Sequence, residues 1–173
     1  MTHILIIEDE ADLADSIAQM LEWAGYTVEV AADGIKGIEA IRTITPDLIL
    51  CDLMMPVLSG YEVLKAIKTD PTTSTIPIIL VSALSERIQQ RRGMELGADD
   101  YLTKPFEPEE LIAAVQAQIE KHHSLIDHHE ISLRLMRNNI TYALPHELRT
   151  PLSQIMGYAQ LLEMETDPVD IQI

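Results

Sequence analysis

Cysteine is almost absent. Cys51 is the only one in 173 residues, so no disulfide can close within the chain, and a reducing, cytoplasmic setting is the natural expectation. Positive charge is scarce too, with 12 Lys and Arg against 28 Asp and Glu and a net charge of −16. Up to Lys121 there are 9 basic and 21 acidic residues, net −12, and beyond it 3 and 7, net −4. Such a surface repels phosphate backbones and anionic bilayers, so neither direct nucleic-acid binding nor a membrane partner is expected. No run is long and apolar enough to span a bilayer. Met1 leads within two residues into a strand-like run with no basic leader, which speaks against a signal peptide.

What the chain does have is a rhythm of short apolar runs ending in polar residues. Leu48-Ile49-Leu50-Cys51 runs straight into Asp52, and Pro56 stops the pattern. A brief apolar run between turn signals fits a strand buried on both faces. His3 to Ile7 is a similar run ending in Glu8-Asp9-Glu10, Tyr26 to Val30 a second strand, Ile76 to Val81 a fourth ending at Ser82, and Tyr101-Leu102 a brief fifth leading to Lys104. Between them lie helical spacings: Leu13, Ile17, Leu21 and Ala24, closed by Gly25; Ile35, Ile38, Ile41 and Ile44, capped by Asp33 and stopped by Pro46; Gly60 to Lys68; and a helix from a Ser85 cap towards Gly97. Pro108, with Glu107, Glu109 and Glu110 around it, starts a fifth helix. Five strand-then-helix units with short links imply right-handed crossovers and an α/β fold, a doubly wound parallel sheet covered on both faces.

Parallel strands bring their carboxyl ends to one edge. Glu8, Asp9, Asp52, Ser82 and Lys104 should therefore converge there. Carboxylates so placed repel by about 4 kcal/mol per close pair at an effective dielectric near 20, and something positive must offset this. Hard oxygen ligands with an open aqueous side suit Mg²⁺. Asp52 could then attack a phosphoryl group while the metal, Lys104 and the Ser82 hydroxyl neutralise its oxygens.

Ile-Glu-Asp-Glu, Asp-Leu-Met-Met-Pro-x-x-x-Gly, Val-Ser-Ala and Lys-Pro-Phe, in this order and spacing, resemble the receiver domain of two-component response regulators over residues 2–121. The resemblance implies a flavodoxin-like sheet of strand order 2-1-3-4-5 and a phosphoryl acceptor at Asp52. It implies Mg²⁺ held by Asp9, Asp52 and the Met54 backbone carbonyl, helped by Glu8 through water. Ser82 and Tyr101 would be the switch pair, the hydroxyl moving towards the phosphoryl group and the ring following inward. Glu8 stands where the family more often has Asp. On its residues alone Tyr101 reads equally as a plain half-buried strand aromatic.

From Val115 a second order begins. Val115, Ile119, His122, Ile126, His129, Leu133, Met136, Ile140 and Ala143 recur in steps of four and three, a heptad seam pointing to a long C-terminal helical extension that pairs with a partner, most simply in a homodimer. The histidines on and beside the seam, His122, His123, His128 and His129, lack a Cys or paired carboxylate to complete a metal site and read as a polar seam or a solvated linker. Residues 122–143 are thus a connector. Then comes His146-Glu147-Leu148-Arg149-Thr150-Pro151-Leu152, in which an exposed imidazole beside a carboxylate can serve as a phosphoryl nucleophile. This box resembles the phosphoacceptor helix of sensor histidine kinases. It implies His146 as the phosphorylated residue, Glu147 as its base and Thr150 as a residue positioning water. Residues 144–165 would be the first helix of that domain, truncated, and 166–173 a tail; Pro145 departs from the usual residue before the histidine. No Gly-rich nucleotide lid and no acidic adenine-binding motif is present, so the chain alone is not expected to be an ATP-dependent kinase. The expected partners are a sensor histidine kinase or a histidine phosphotransfer protein, with the chain as the N-terminal part of a hybrid kinase. The same residues also fit a phosphorylation-gated dimerisation module with His146 inert, or a phosphotransfer or phosphatase half working between His146 and Asp52 in trans.

Overall fold

The computed structural model describes residues 2–83, 91, 93–126, 131 and 133–135. The chain divides into two compact units, one closing at Ser124 and the other beginning at Leu125. In the first, β1 (His3–Ile7), β2 (Thr27–Ala31), β3 (Leu48–Asp52), β4 (Ile78–Ser82) and β5 (Asp100–Thr103) form a parallel sheet in the order β2-β1-β3-β4-β5. Three helices, α1 (Ala11–Trp23), α2 (Gly34–Thr43) and α3 (Gly60–Thr69), link the early strands. Residues 108–126 are also helical, and residues 93–95 end another helical stretch that closes at Gly97, with φ 96°. The Ser85 cap lies outside the described residues.

Period-two alternation builds the two layers. Leu5, Ile7, Ile49, Cys51, Ile78 and Leu80 point to the face covered by Ile41 of α2 and Val63, Leu64 and Ile67 of α3. Ile4, Ile6, Leu48, Leu50, Ile79 and Val81 point to the other, against Ile17 and Leu21 of α1 and Leu111, Val115 and Ile119 of the 108–126 helix. Strands covered on both faces read as unbroken apolar runs because no position along them meets water. Each such Leu or Ile contributes about 1.5–3 kcal/mol by leaving water.

Two helical faces differ from the spacing. On α2, Ile35 and Ile44 are 49 and 54 % exposed, and the buried positions are Gly34, Gly37 and Ile41. At its glycines the helix has no room for larger side chains: a Cβ on Gly37 would meet the Ile7 side chain of β1, and one on Gly34 would meet Val63 Cγ2 of α3 at 2.7 Å. On α1, Ala14 is buried and Ala24, already past the helix, is exposed. The first two positions of the supposed seam also belong elsewhere. Val115 and Ile119 are buried in the sheet's own core, which uses the same three-and-four spacing for packing within the unit. Further along, Ile126 and Leu133 are 45 and 54 % exposed, and His129, Met136, Ile140 and Ala143 lie outside the described residues.

The α3 start was only partly legible. Glu62 accepts from both the backbone N–H and the hydroxyl of Ser59, at 2.9 and 2.8 Å, closing the helix's first turn. These bonds hold the Glu62 carboxyl below its ordinary range. Among the described residues no helix is long and apolar enough to cross a membrane.

Candidate functional site

The carboxyl ends of β1, β3, β4 and β5 meet where parallel geometry requires. Asp52 ends β3 and Ser82 ends β4; Glu8 and Asp9 follow β1, and Lys104 follows β5. The ladder continues past the strands: Leu53 N–H donates to Val81 at 2.9 Å and Lys104 N–H to Ser82 at 2.8 Å. These bonds tie the loops bearing the polar side chains to the sheet.

Oxygens of Glu8, Asp9 and Asp52 all lie within 4.8 Å of one another. The Lys104 ammonium spans two of the three, 2.7 Å from Glu8 Oε2 and 2.5 Å from Asp52 Oδ1. The other Asp52 oxygen, Oδ2, accepts the Met54 N–H at 2.6 Å. Glu8 and Asp52 are buried, at 4 and 5 % exposure, and Asp9 faces water. Burial holds the Glu8 carboxyl above its ordinary range, and the Asp52 charge adds to this against the pull of Lys104. For Lys104, burial works against the ammonium, but its bonds to Asp52 and Glu8 outweigh that and raise its pKa. Cys51, buried beneath, has its thiol pushed far up by the same desolvation and is inert.

Three carboxylates and one ammonium leave an excess of negative charge. The donor set is hard oxygen with one exposed side, at Asp9, and fits a small divalent cation such as Mg²⁺. Ser82 is fully buried at the end of β4. Tyr101 is half-buried in β5, paired in register with Leu80, and packs against the core on the α2–α3 face. Glu8, Asp9, Asp52 and Lys104 are therefore drawn together; Tyr101 sits two residues before the end of β5, and His146, Glu147 and Thr150 lie outside the described residues.

Two contributors escaped the sequence reading. Met54 was singled out for its carbonyl, yet its N–H is what holds Asp52. Gly60 opens α3 directly behind Asp52, where a Cβ would strike the Asp52 carbonyl and lie 2.9 Å from Leu53 Cα. The glycine of Asp-Leu-Met-Met-Pro-x-x-x-Gly was the available signal for that close approach.

Residues 4–116 match the response regulator receiver domain model. The chain belongs to the response regulator receiver family. Residues 136–172 match the His Kinase A (phospho-acceptor) domain, so the receiver is followed by a partial phospho-acceptor region. The receiver is 42 % identical over 121 residues to the DNA-binding dual master transcriptional regulator RpaA of Synechocystis, an alignment covering 70 % of this chain and 50 % of that protein. The chain thus spans about half the length of that relative. Chemotaxis protein CheY4 of Vibrio cholerae superposes with a TM-score of 0.65 at 31 % identity, over 68 % of this chain and 98 % of that one. The signal receiver domain of a signal transduction histidine kinase from Syntrophus aciditrophicus superposes with a TM-score of 0.66 at 34 % identity, over 70 % of this chain and 92 % of its own.

Proposed function

We propose that this receiver accepts a phosphoryl group on Asp52 in a two-component phosphorelay and passes the change to an attached helix. The observation that carries the reading is the Lys104 ammonium bridging Glu8 and Asp52 inside a cluster of three carboxylates. An Asp52 oxygen forms a bond to phosphorus as the phosphorus–nitrogen bond of a phosphohistidine donor breaks. The electron pair returns to the imidazole, and Asp52 becomes an acyl phosphate. Lys104, already beside Asp52, then balances the added phosphoryl charge. Asp9, Asp52 and the Met54 carbonyl would hold Mg²⁺, with Glu8 acting through water; when bound, the ion neutralises phosphoryl and carboxylate oxygens together. Ser82 draws towards the phosphoryl group and the Tyr101 ring follows inward, which shifts the surface around β4 and β5.

In this reading residues 2–121 are the receiver, 122–143 a helical connector, 144–165 a first phosphoacceptor helix and 166–173 a tail, with His146, Glu147 and Thr150 as phosphohistidine, base and water-positioning residue. The match of residues 136–172 and the likeness to a histidine-kinase receiver favour the N-terminal part of a hybrid kinase. Exposed apolar side chains at Leu125, Ile126, Ile131, Leu133 and Leu135 favour pairing with a second copy. Partners are a sensor histidine kinase or phosphotransfer protein in the cytoplasm, and the acid excess disfavours nucleic-acid contact by this chain itself.

Incubation with radiolabelled phosphoramidate and Mg²⁺ tests the central step. The wild-type chain should take up an acid-stable, base-labile label that Asp52→Asn does not. Label persisting in Asp52→Asn would reject Asp52 as acceptor.

A further inference from the structure

The loop after Asp52 carries a feature that the chemistry of the site does not use. Val57 has a backbone φ of 69°, a left-handed conformation in which a β-branched residue is an outlier. The Leu58 N–H returns to the Pro56 carbonyl at 2.8 Å, making Pro56-Val57-Leu58 a γ-turn of the strained hand. Glycine would take up this conformation without the steric cost. Nor does the valine side chain support the core, being 88 % exposed. Met54, three residues earlier, is 65 % exposed, although Leu53 and Met55 on either side of it are buried. Strain that carries an exposed apolar side chain marks a surface kept for something other than folding.

The position of the loop indicates what that surface meets. Met54 N–H is bonded to Asp52 Oδ2, so the loop forms the rim of the acceptor. A small phosphodonor can reach Asp52 through the open side without engaging the rim. A protein bringing a phosphohistidine into bonding distance must lay its own surface beside it. On a chain of net charge −16, the rim's two neutral side chains are also a place where a partner bearing a phosphoryl dianion can land without added repulsion.

Resting on the reading of Asp52 as acceptor, we propose that Val57, with Met54 beside it, is a specificity-determining contact. The strained turn holds Val57 outward, and with the exposed Met54 it meets apolar side chains on the histidine-bearing helix of the phosphodonor protein.

The test compares two donors on the full chain: phosphoramidate, and the fastest donor in a panel of autophosphorylated sensor kinases. In Val57→Gly the ratio of kinase rate to phosphoramidate rate should fall about tenfold, and the melting temperature should rise as the strain is removed. Val57→Leu, which keeps an apolar side chain, should keep most of the ratio. An unchanged ratio in Val57→Gly, including an equal fall with both donors, would overturn the proposal. So would a panel in which no kinase outpaces phosphoramidate on the wild-type chain. Failure of Asp52 to accept label from either donor would instead strike at the acceptor reading beneath it.

Discussion

Lys104 and Lys68 stand at opposite edges of one sheet, equally withdrawn from water, with side chains 18 and 19 % exposed. Lys68 donates to the carbonyls of Ser74 and Ile76 at 3.3 and 3.0 Å and to Asp99 Oδ2 at 3.0 Å. That same carboxylate oxygen accepts the Ile78 N–H at 3.1 Å. One cation meets one anion, and the group binds the end of α3, the loop before β4 and the residue before β5. At the other edge one cation bridges two of three clustered carboxylates. A balanced polar group fastens the fold. An unbalanced one leaves charge over, and that excess is what a metal ion and a phosphoryl group can use.

The largest effect that would break this contrast is at Asp52. Asp52→Asn should lower phosphoramidate labelling at least about 100-fold. Its urea midpoint should be no lower than wild type, because one of three crowded carboxylates is gone. A marked loss of stability would make this edge a fastening too. Lys68→Met should behave oppositely, costing about 2–3 kcal/mol in urea denaturation by leaving Asp99 and two carbonyls without their donor, with labelling within about twofold of wild type once the folded fraction is equal.

Two glycines sharpen the comparison. Gly60→Ala pushes on the backbone of Asp52 and Leu53, and labelling should slow about tenfold as the acceptor is displaced. Gly97, at φ 96° beside the Lys68 side chain, bears on the other edge. Gly97→Ala should cost about 1 kcal/mol in thermal or urea unfolding and leave labelling unaffected.

The smallest expected effect is in the pH dependence. The Glu8 carboxyl is raised from its ordinary 4.5 in the folded chain, so between that value and its folded pKa the folded state binds more protons than the unfolded. Stability should therefore fall as pH rises through this window, and Glu8→Gln should flatten that slope. Lys104, also raised, acts at the alkaline end: its contribution is present below its ordinary 10.5 and is lost as pH rises through its higher folded value. Stability curves from pH 4 to 11 for both chains would separate the two, and equal acid-side slopes would remove Glu8 from the account.

Strand ends were legible because a strand buried on both faces has to be apolar throughout, so its first polar residue marks where the sheet stops. Glu8, Asp52 and Ser82 could thus be assigned to one edge, and Lys104 joined them by following the brief Tyr101-Leu102 run. The rotation of α2 was not legible, because isoleucines at helical spacing look like a core face unless one knows that the glycines must lie against Ile7 and Val63. Val115 and Ile119 misled for a related reason, since a heptad seam and a helix packed on its own sheet share one spacing. The Lys68–Asp99 pairing joins residues 31 apart in sequence, and no local pattern announces it.

Sequence alone determined the parallel architecture, the edge at which polar groups gather and the acid excess there, since alternation, apolar runs and residue charge are local properties. Only tertiary structure decided which lysine fastens the fold and which reaches Asp52, that the Met54 N–H bonds to Asp52, and that Val57 is turned outward under strain. Those outcomes depend on distances between residues far apart in the chain, and on a backbone angle set by the closure of a loop.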